Sequence, residues 1–430
     1  MAASGTEALC QPLSSMTLSH VHELPAAESA VLALAASERH VAIATSAHSI
    51  SLLDRATLKP VAPASWRAHS DRINELCFAP SDTLVSASSD GTVKLWDVSQ
   101  GKPLAVLASG DANDEVWSVS VQSHLLAAGT ESAVVVWDVR HTSTPLARYE
   151  LHTEAVTQVR FLPSAAGQLL SGSVDGLLCE IDTRQTEEDD AVIGVHNNES
   201  PVAGLGFCSV GGSSQRPLAW VLSSTDVVSI WDLEAADRIA MYDQLVRHAA
   251  ADHLAADELA ASSASARAAI GPPVPIDFVI GCEFDVSSER LSVLGGERCG
   301  ETHLLELPPL ASATTSAAHA TGDGSVTVQS SAGSSAAVQA SACNSAAVRH
   351  LLSLPSQSAG GAHADAVRCF HVAPGATALL TAGDDGRVAA WIGAQKATTS
   401  TSGPRADLKA TRVKDRAPRS KPYDRPGGGT

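Results

Sequence analysis

The chain contains no CxxC pair, no GxGxxG or GxxxxGK[ST] loop, no HExxH and no apolar run approaching the ~18–20 residues that a membrane-spanning helix needs. Each absence closes a class. Without paired cysteines there is no sequence signal for a zinc ribbon or a dithiol redox couple, and the eight cysteines, at 10, 77, 179, 208, 282, 299, 343 and 369, fit reduced thiols inside a cell. Without the glycine-rich loops and HExxH, nucleotide-dependent and zinc-hydrolase chemistries have no foothold, so no cofactor and no metal is expected. The first residues, MAASGTEALCQPLSS, lack a basic region followed by an apolar stretch. A soluble intracellular protein of the nucleus or cytoplasm, with no membrane partner, is the expectation.

Three windows place the same residue types at the same offsets. They are Ser86, Asp90, Trp96; Ser171, Asp175, Ile181; and Thr381, Asp385, Trp391. Hydroxyl, carboxylate and large apolar residue are four and then six positions apart, and a histidine (His69, His152, His363) precedes each last member by 27 to 29 residues. A recurring set of this kind is the internal repeat of a β-propeller blade. Blade strands are buried on both faces, so a polar side chain there needs partners. Asp accepting from His, His bonded to the hydroxyl and the hydroxyl bonded to the indole N–H would satisfy every member and tie the loop entering a blade to the turn within it. The same types could suggest a hydrolase triad, but an enzyme needs one nucleophile and the chain repeats the set.

With the Trp position as a ruler, marks fall at Leu53, Trp96, Trp137, Ile181, Trp231, about Leu305 and Trp391. Seven marks predict an all-β, seven-bladed propeller over 15–395, between a flexible 1–14 and a disordered basic tail, 396–430. The first four intervals are 43, 41, 44 and 50 residues, near the ~40–45 of a blade. The last two, about 74 and 86, require insertions at about 247–272 and 309–358. The first contains an Ala-rich stretch, Arg247 to Ala269, that reads as a surface helix; the second, rich in Ala, Ser, Thr and Gly with hardly any aromatic residue, reads as a disordered loop. The last blade shows three strands, and Met16–Leu24 is the spare segment that would supply the fourth and close the ring. Blades three and five carry Glu131 and Thr225 at the turn acid, while blades one and six lack both Trp and turn Asp and are expected to hold by apolar packing alone.

Net charge is −18, yet residues 396–430 hold nine Lys or Arg against three Asp. An acidic body disfavours nucleic acid, except through the tail, and favours basic protein partners. The tail also reads as a nuclear-import segment or a solubilising terminus. The run Glu187 to Asp190 lacks the spacing of a calcium loop and reads as a solvated loop, and His20 with His22 reads as a surface pair without a third ligand.

The segments LWDV (Leu95 to Val98), VWDVR (Val136 to Arg140) and IWDL (Ile230 to Leu233) identify the chain as resembling the WD-repeat family over about residues 25–395. What the resemblance implies is a scaffold that presents loops and edges to other proteins, with no catalysis of its own. In this fold, residues near the start of each inner strand ring the channel mouth, which here are Asn74, Trp117, Thr157, Ala203, about Asp277 and Arg368. Trp117 and Arg368 are of the types that dominate binding hot spots. The 16 residues ending at Arg140 also resemble the WDxR box through which substrate receptors dock on a cullin ubiquitin-ligase adaptor, with Asp138 and Arg140 in the box and a degenerate copy ending at Arg184. Partners expected are therefore other proteins, basic ones first, with the ligase adaptor as the alternative.

Overall fold

The structure is a computed structural model and describes residues 16–393, apart from 26–29, 81, 111–113, 132, 209–217, 244, 247–275, 286–289, 308–348 and 374–377. The expected N-terminal segment 1–14, the helix within 247–269, the loop as far as 348 and the tail lie outside the described residues.

Alternating apolar and polar residues broken by Asp-Gly turns give short antiparallel strands, and these form seven sheets of four strands each. Blade one runs from Val31 to Arg67, blade two from Ile73 to Ala108, blade three from Val116 to Tyr149 and blade four from Gln158 to Asn197. Blade five spans Val202 to Tyr242 and blade six Phe278 to Leu354. Blade seven takes three strands from Val367 to Gly393 and its fourth from Met16–Glu23, which pairs antiparallel with Arg387–Gly393 from Met16 opposite Gly393 to Glu23 opposite Arg387. The ring is closed by the N-terminal and C-terminal strands. His20 and His22 lie on that closing strand, opposite Ala390 and Val388.

Apolar clusters fill the spaces between blades. Tyr149 and Val136 of blade three meet Phe161 and Leu169 of blade four. Ile43 and Leu53 of blade one meet Leu380 and Val388 of blade seven. Met16 joins Leu294 and Leu304 of blade six and Trp391 of blade seven, so the closing strand is held by packing as well as by its ladder. Full burial of a side chain of this size stabilises by about 1.5–3 kcal/mol relative to exposure.

Six ruler residues sit next to last in the third strand of their blade, and Trp391 sits two before the end of its own. In six blades the outer strand bulges as it reaches the ruler position, as between Leu95 and Trp96. In blade three the outer strand, Ala147–Tyr149, stops short of it. Residues 349–354, at the end of the tract expected to be loop, form the fourth strand of blade six, with Arg349 opposite Glu306. The expectation that blades one and six hold by apolar packing alone is corrected. Thr45 and Ser49 share a buried hydroxyl bond of 2.7 Å in blade one, and His303 bonds Glu297 and Ser353 in blade six at 2.9 and 3.0 Å.

Candidate functional site

The loops that meet at the channel mouth are held by the polar sets. In blade two, His69 Nδ1–H donates to Asp90 Oδ2 at 2.9 Å, Ser86 hydroxyl lies 2.7 Å from His69 Nε2, and Trp96 Nε1–H donates to Ser86 Oγ at 2.8 Å. Asp90 also accepts from the Ser70 and Thr92 amides and the Thr92 hydroxyl. Burial acts to raise the Asp90 carboxyl, but the bonds from His69 and Thr92 outweigh it and hold the group well below the usual carboxylate range. Burial pushes the His69 imidazole down. Blade seven repeats the set, with His363 Nδ1 3.2 Å from Asp385, Nε2 2.9 Å from Thr381 Oγ1 and Trp391 Nε1–H donating to Thr381 at 2.9 Å. In blade four, His152 lies 3.2 Å from Asp175 and 2.9 Å from Ser171, and Ile181 fills the indole position without an N–H. The glycine after each Asp (Gly91, Gly176, Gly386) has φ of 79°, 81° and 70°, in the left-handed region that glycine occupies without strain.

In blades three and six, whose turns lack the Asp, the tie reverses. Asp114, in the loop entering blade three, accepts from the Glu131 amide in the turn at 3.0 Å, and Asp277 accepts from the Arg298 amide in blade six at 3.1 Å. The carboxylate has moved from turn to loop and the same two segments stay joined. In blade five, Trp231 Nε1–H finds Asn198 Oδ1 at 3.3 Å. These residues fall outside the offsets that mark the repeat; their one sequence signal is a carboxylate or amide in the loop preceding a blade whose turn lacks Asp.

Every inner strand except that of blade four begins with a bulge, which leaves one residue without a partner and turns its side chain. The unpaired residues are Leu32, Asn74, Trp117, Ala203, Ile280 and Arg368, with Thr157 just before the blade-four strand. The blade-six member of the rim is thus Ile280 rather than Asp277, which sits three residues earlier and is taken up by the turn. Asn74, Trp117, Thr157 and Ala203 converge, with Arg72, Gln158 and Pro201, on one depression of about 450 Å³. Asn74 Nδ2 donates to Val116 O at 2.8 Å and Thr157 Oγ1 to Val202 O at 2.5 Å, so both brace neighbouring inner strands. Trp117 is half-buried and donates to Glu131 Oε2 at 3.0 Å. Gln158 Nε2 donates to Ala203 O at 3.1 Å, while its Oε1 is buried with no hydrogen-bond partner. Arg368 lies outside the depression and is engaged by Asp384 through Nε and Nη2 at 2.8 and 2.6 Å.

Antiparallel order puts the loop entering each blade and the turn joining its second and third strands at the same end of the propeller. Among the described residues of those segments, Arg72 and Arg298 are the only Lys or Arg, against carboxylates that include Asp71, Glu115, Glu131, Glu154, Asp226 and Asp365. The opposite end carries Asp138 with Arg140 and Asp182 with Arg184. Each guanidinium grips its own carboxylate through two nitrogens, at 2.9 and 2.5 Å and at 2.7 and 2.6 Å. These bonds hold both carboxyls below the usual range, yet the two arginine side chains stay 61% and 64% exposed. A network that the sequence did not reveal spans three inner strands, where Glu75 accepts from the Ser118 hydroxyl, the Val119 amide and Arg160 Nη2 at 2.7, 2.8 and 2.6 Å.

Comparison with known proteins agrees with this geometry. The family model described as WD domain, G-beta repeat matches residues 62–97, which carry the complete set of blade two. The WD repeat-containing protein 89 homolog of Dictyostelium discoideum is 31% identical over 65% of this chain and 70% of its own length. WD repeat-containing protein GTS1 of Arabidopsis thaliana is 33% identical over 39% of this chain and 44% of its own. The ribosome biogenesis protein WDR12 homolog of the same plant is 31% identical over 32% of each. Seven blades closed by the two terminal strands, the repeated polar set and these similarities agree, and the chain belongs to the WD-repeat family of β-propellers.

Proposed function

We propose that this chain is a non-enzymatic scaffold that holds a basic segment of another protein at the loop end of its channel. The observation that carries the reading is the depression spanning blades two to five. It offers the half-buried indole of Trp117 and the unpartnered acceptor of Gln158 inside an end of the molecule dominated by carboxylates. An aromatic face and a buried acceptor suit a cationic side chain, and the surrounding negative field speeds its encounter. The relative named for ribosome biogenesis supports a nuclear setting, as does the basic composition of 396–430. Trp117→Ala is expected to raise the dissociation rate of the captured partner and cost about 2 kcal/mol or more, while added salt mainly slows association. A folded Trp117→Ala chain that keeps every partner of the parent overturns the reading.

The exposed guanidinium groups of Arg140 and Arg184, held by Asp138 and Asp182 on neighbouring blades, favour a second reading, a substrate receptor docked on a cullin ubiquitin-ligase adaptor. The adaptor should then appear among the affinity-purified partners and disappear with Arg140→Ala.

A further inference from the structure

Blade six has neither the hydroxyl nor the tryptophan of the repeated set, and its turn is built differently. Five residues, Glu297 to Glu301, join the strands Arg290–Gly296 and Thr302–Glu306. Glu297 N–H donates to Glu301 O at 2.8 Å, and Gly300 N–H to Glu297 O at 3.1 Å. Gly300 has φ of 87°, and a Cβ there would come within 2.7 Å of the His363 carbonyl oxygen in the loop entering blade seven. Seated against that loop, the turn gathers a carboxylate oxygen each from Glu297 and Glu301 with a ring nitrogen of His303, all within 4.8 Å of one another. The Cys299 thiol, at the position where other blades hold the turn Asp, donates to Glu297 Oε2 at 3.3 Å.

The imidazole is the buried member, with its side chain 3% exposed. His303 Nε2 lies 2.9 Å from Glu297 Oε1, Nδ1 lies 3.0 Å from Ser353 Oγ, and Ser353 Oγ lies 3.2 Å from His350 Nε2. This relay is satisfied in two ways. With the proton on Nε2, His303 donates to Glu297 and its Nδ1 accepts from the Ser353 hydroxyl. With a cation on Nε2, the proton sits on Nδ1 and is donated to Ser353, whose own hydroxyl turns to His350. A hydrogen-bonded second ring nitrogen is the support that a metal-bound histidine needs, and here it comes from a neighbouring strand. Nitrogen, carboxylate and thiol together suit a borderline cation of the zinc class, whereas magnesium and calcium prefer oxygen alone. Zinc bonds of about 2.0–2.3 Å place tetrahedral ligands about 3.3–3.8 Å apart, a spacing that side-chain rotation reaches from the present spread.

We propose that the turn of blade six binds one divalent transition-metal ion of the zinc class through Glu297, Glu301 and His303 Nε2, with Cys299 as fourth donor. The ion would brace the turn of blade six, which sits against the loop entering blade seven.

The test is zinc binding by the full chain, stripped with chelator and returned to zinc chloride in equilibrium dialysis. One equivalent should bind, with a zinc-dependent rise in melting temperature. Glu301→Gln and His303→Gln should each weaken binding at least tenfold and abolish the thermal shift, with circular dichroism showing that the variants are folded. If His303→Gln fails to fold, the half-exposed Glu301 decides alone. The cobalt-loaded parent should show a thiolate-to-cobalt charge-transfer band that Cys299→Ser removes. The double variant His20→Asn, His22→Asn should bind as the parent does. Absence of saturable zinc, equal binding by Glu301→Gln, or loss confined to the His20/His22 variant overturns the proposal.

Discussion

At the scale of single residues, the fold rests on carboxylates that each serve several donors. Asp90 takes hydrogen bonds from His69, from the Ser70 amide and from the Thr92 amide and hydroxyl. Asp90→Ala leaves His69 without its acceptor in a buried place, so denaturant melts should show a loss of about 1–3 kcal/mol. An unchanged midpoint would mean that the network contributes nothing there. Glu283, on the inner strand of blade six, shows the opposite electrostatic situation. Burial pushes its carboxyl up to about 7, against the Val372 amide at 2.7 Å that favours the ionised form, and burial pushes the neighbouring His371 down to about 4. The folded chain therefore binds a proton at Glu283 that the unfolded chain has already released, and the stability this gives is lost as pH rises through about 7. Glu283→Gln has no such proton. Its melting temperature relative to the parent should be higher at pH 8 than at pH 5, and an equal difference at both pH values would place the carboxyl in an ordinary environment. His69 and His152 carry the reverse slope: burial depresses both, so below the ordinary imidazole value the unfolded chain takes up protons that the folded chain does not, and stability falls as pH falls.

At the scale of strands and turns, legibility in the sequence follows offset. The sets at His69, His152 and His363 could be read because hydroxyl, acid and ruler residue sit within one hairpin whose length is fixed by its turn. Asp114 and Asp277 could not, because they do the same work from loops of variable length. Ile280 is hidden for a related reason: a bulge, and not residue type, defines the rim position, whereas the residue after the apolar one that opens the segment is Asp277. The fourth strand of blade six, RHLLSL, is separated from its partner by the long Ala/Ser-rich tract, so no local pattern linked the two. The closing strand was visible because a blade short of one strand sat beside a spare alternating segment. Deleting residues 1–24 should leave Arg387–Gly393 as an open edge, read as aggregation in light scattering and loss of a single cooperative melt. A monomeric, cooperative truncated chain would show that three strands suffice in blade seven.

Over the whole molecule, most variation in length is confined to connections that the ring tolerates. Glu306 and Arg349 pair directly across blade six, so residues 307–348 span two ends that the sheet already holds together. Deleting Ser312 to Ala347 shortens a hairpin connection and changes closure entropy only slightly, so the variant should stay soluble with a melting temperature near that of the parent. Insoluble protein would mean that the tract packs on the propeller. The closing strand carries a different consequence, one of timing. Thr17 meets its partner Ile392 across 375 residues, and at ribosomal speeds of about 5–20 residues per second the first strand waits on the order of 20–75 s for the last. Six blades can assemble from neighbours as they emerge. The seventh depends on a strand made 375 residues before its partner, so a polypeptide stopped anywhere before Arg387 yields an open ring, however many blades it has finished.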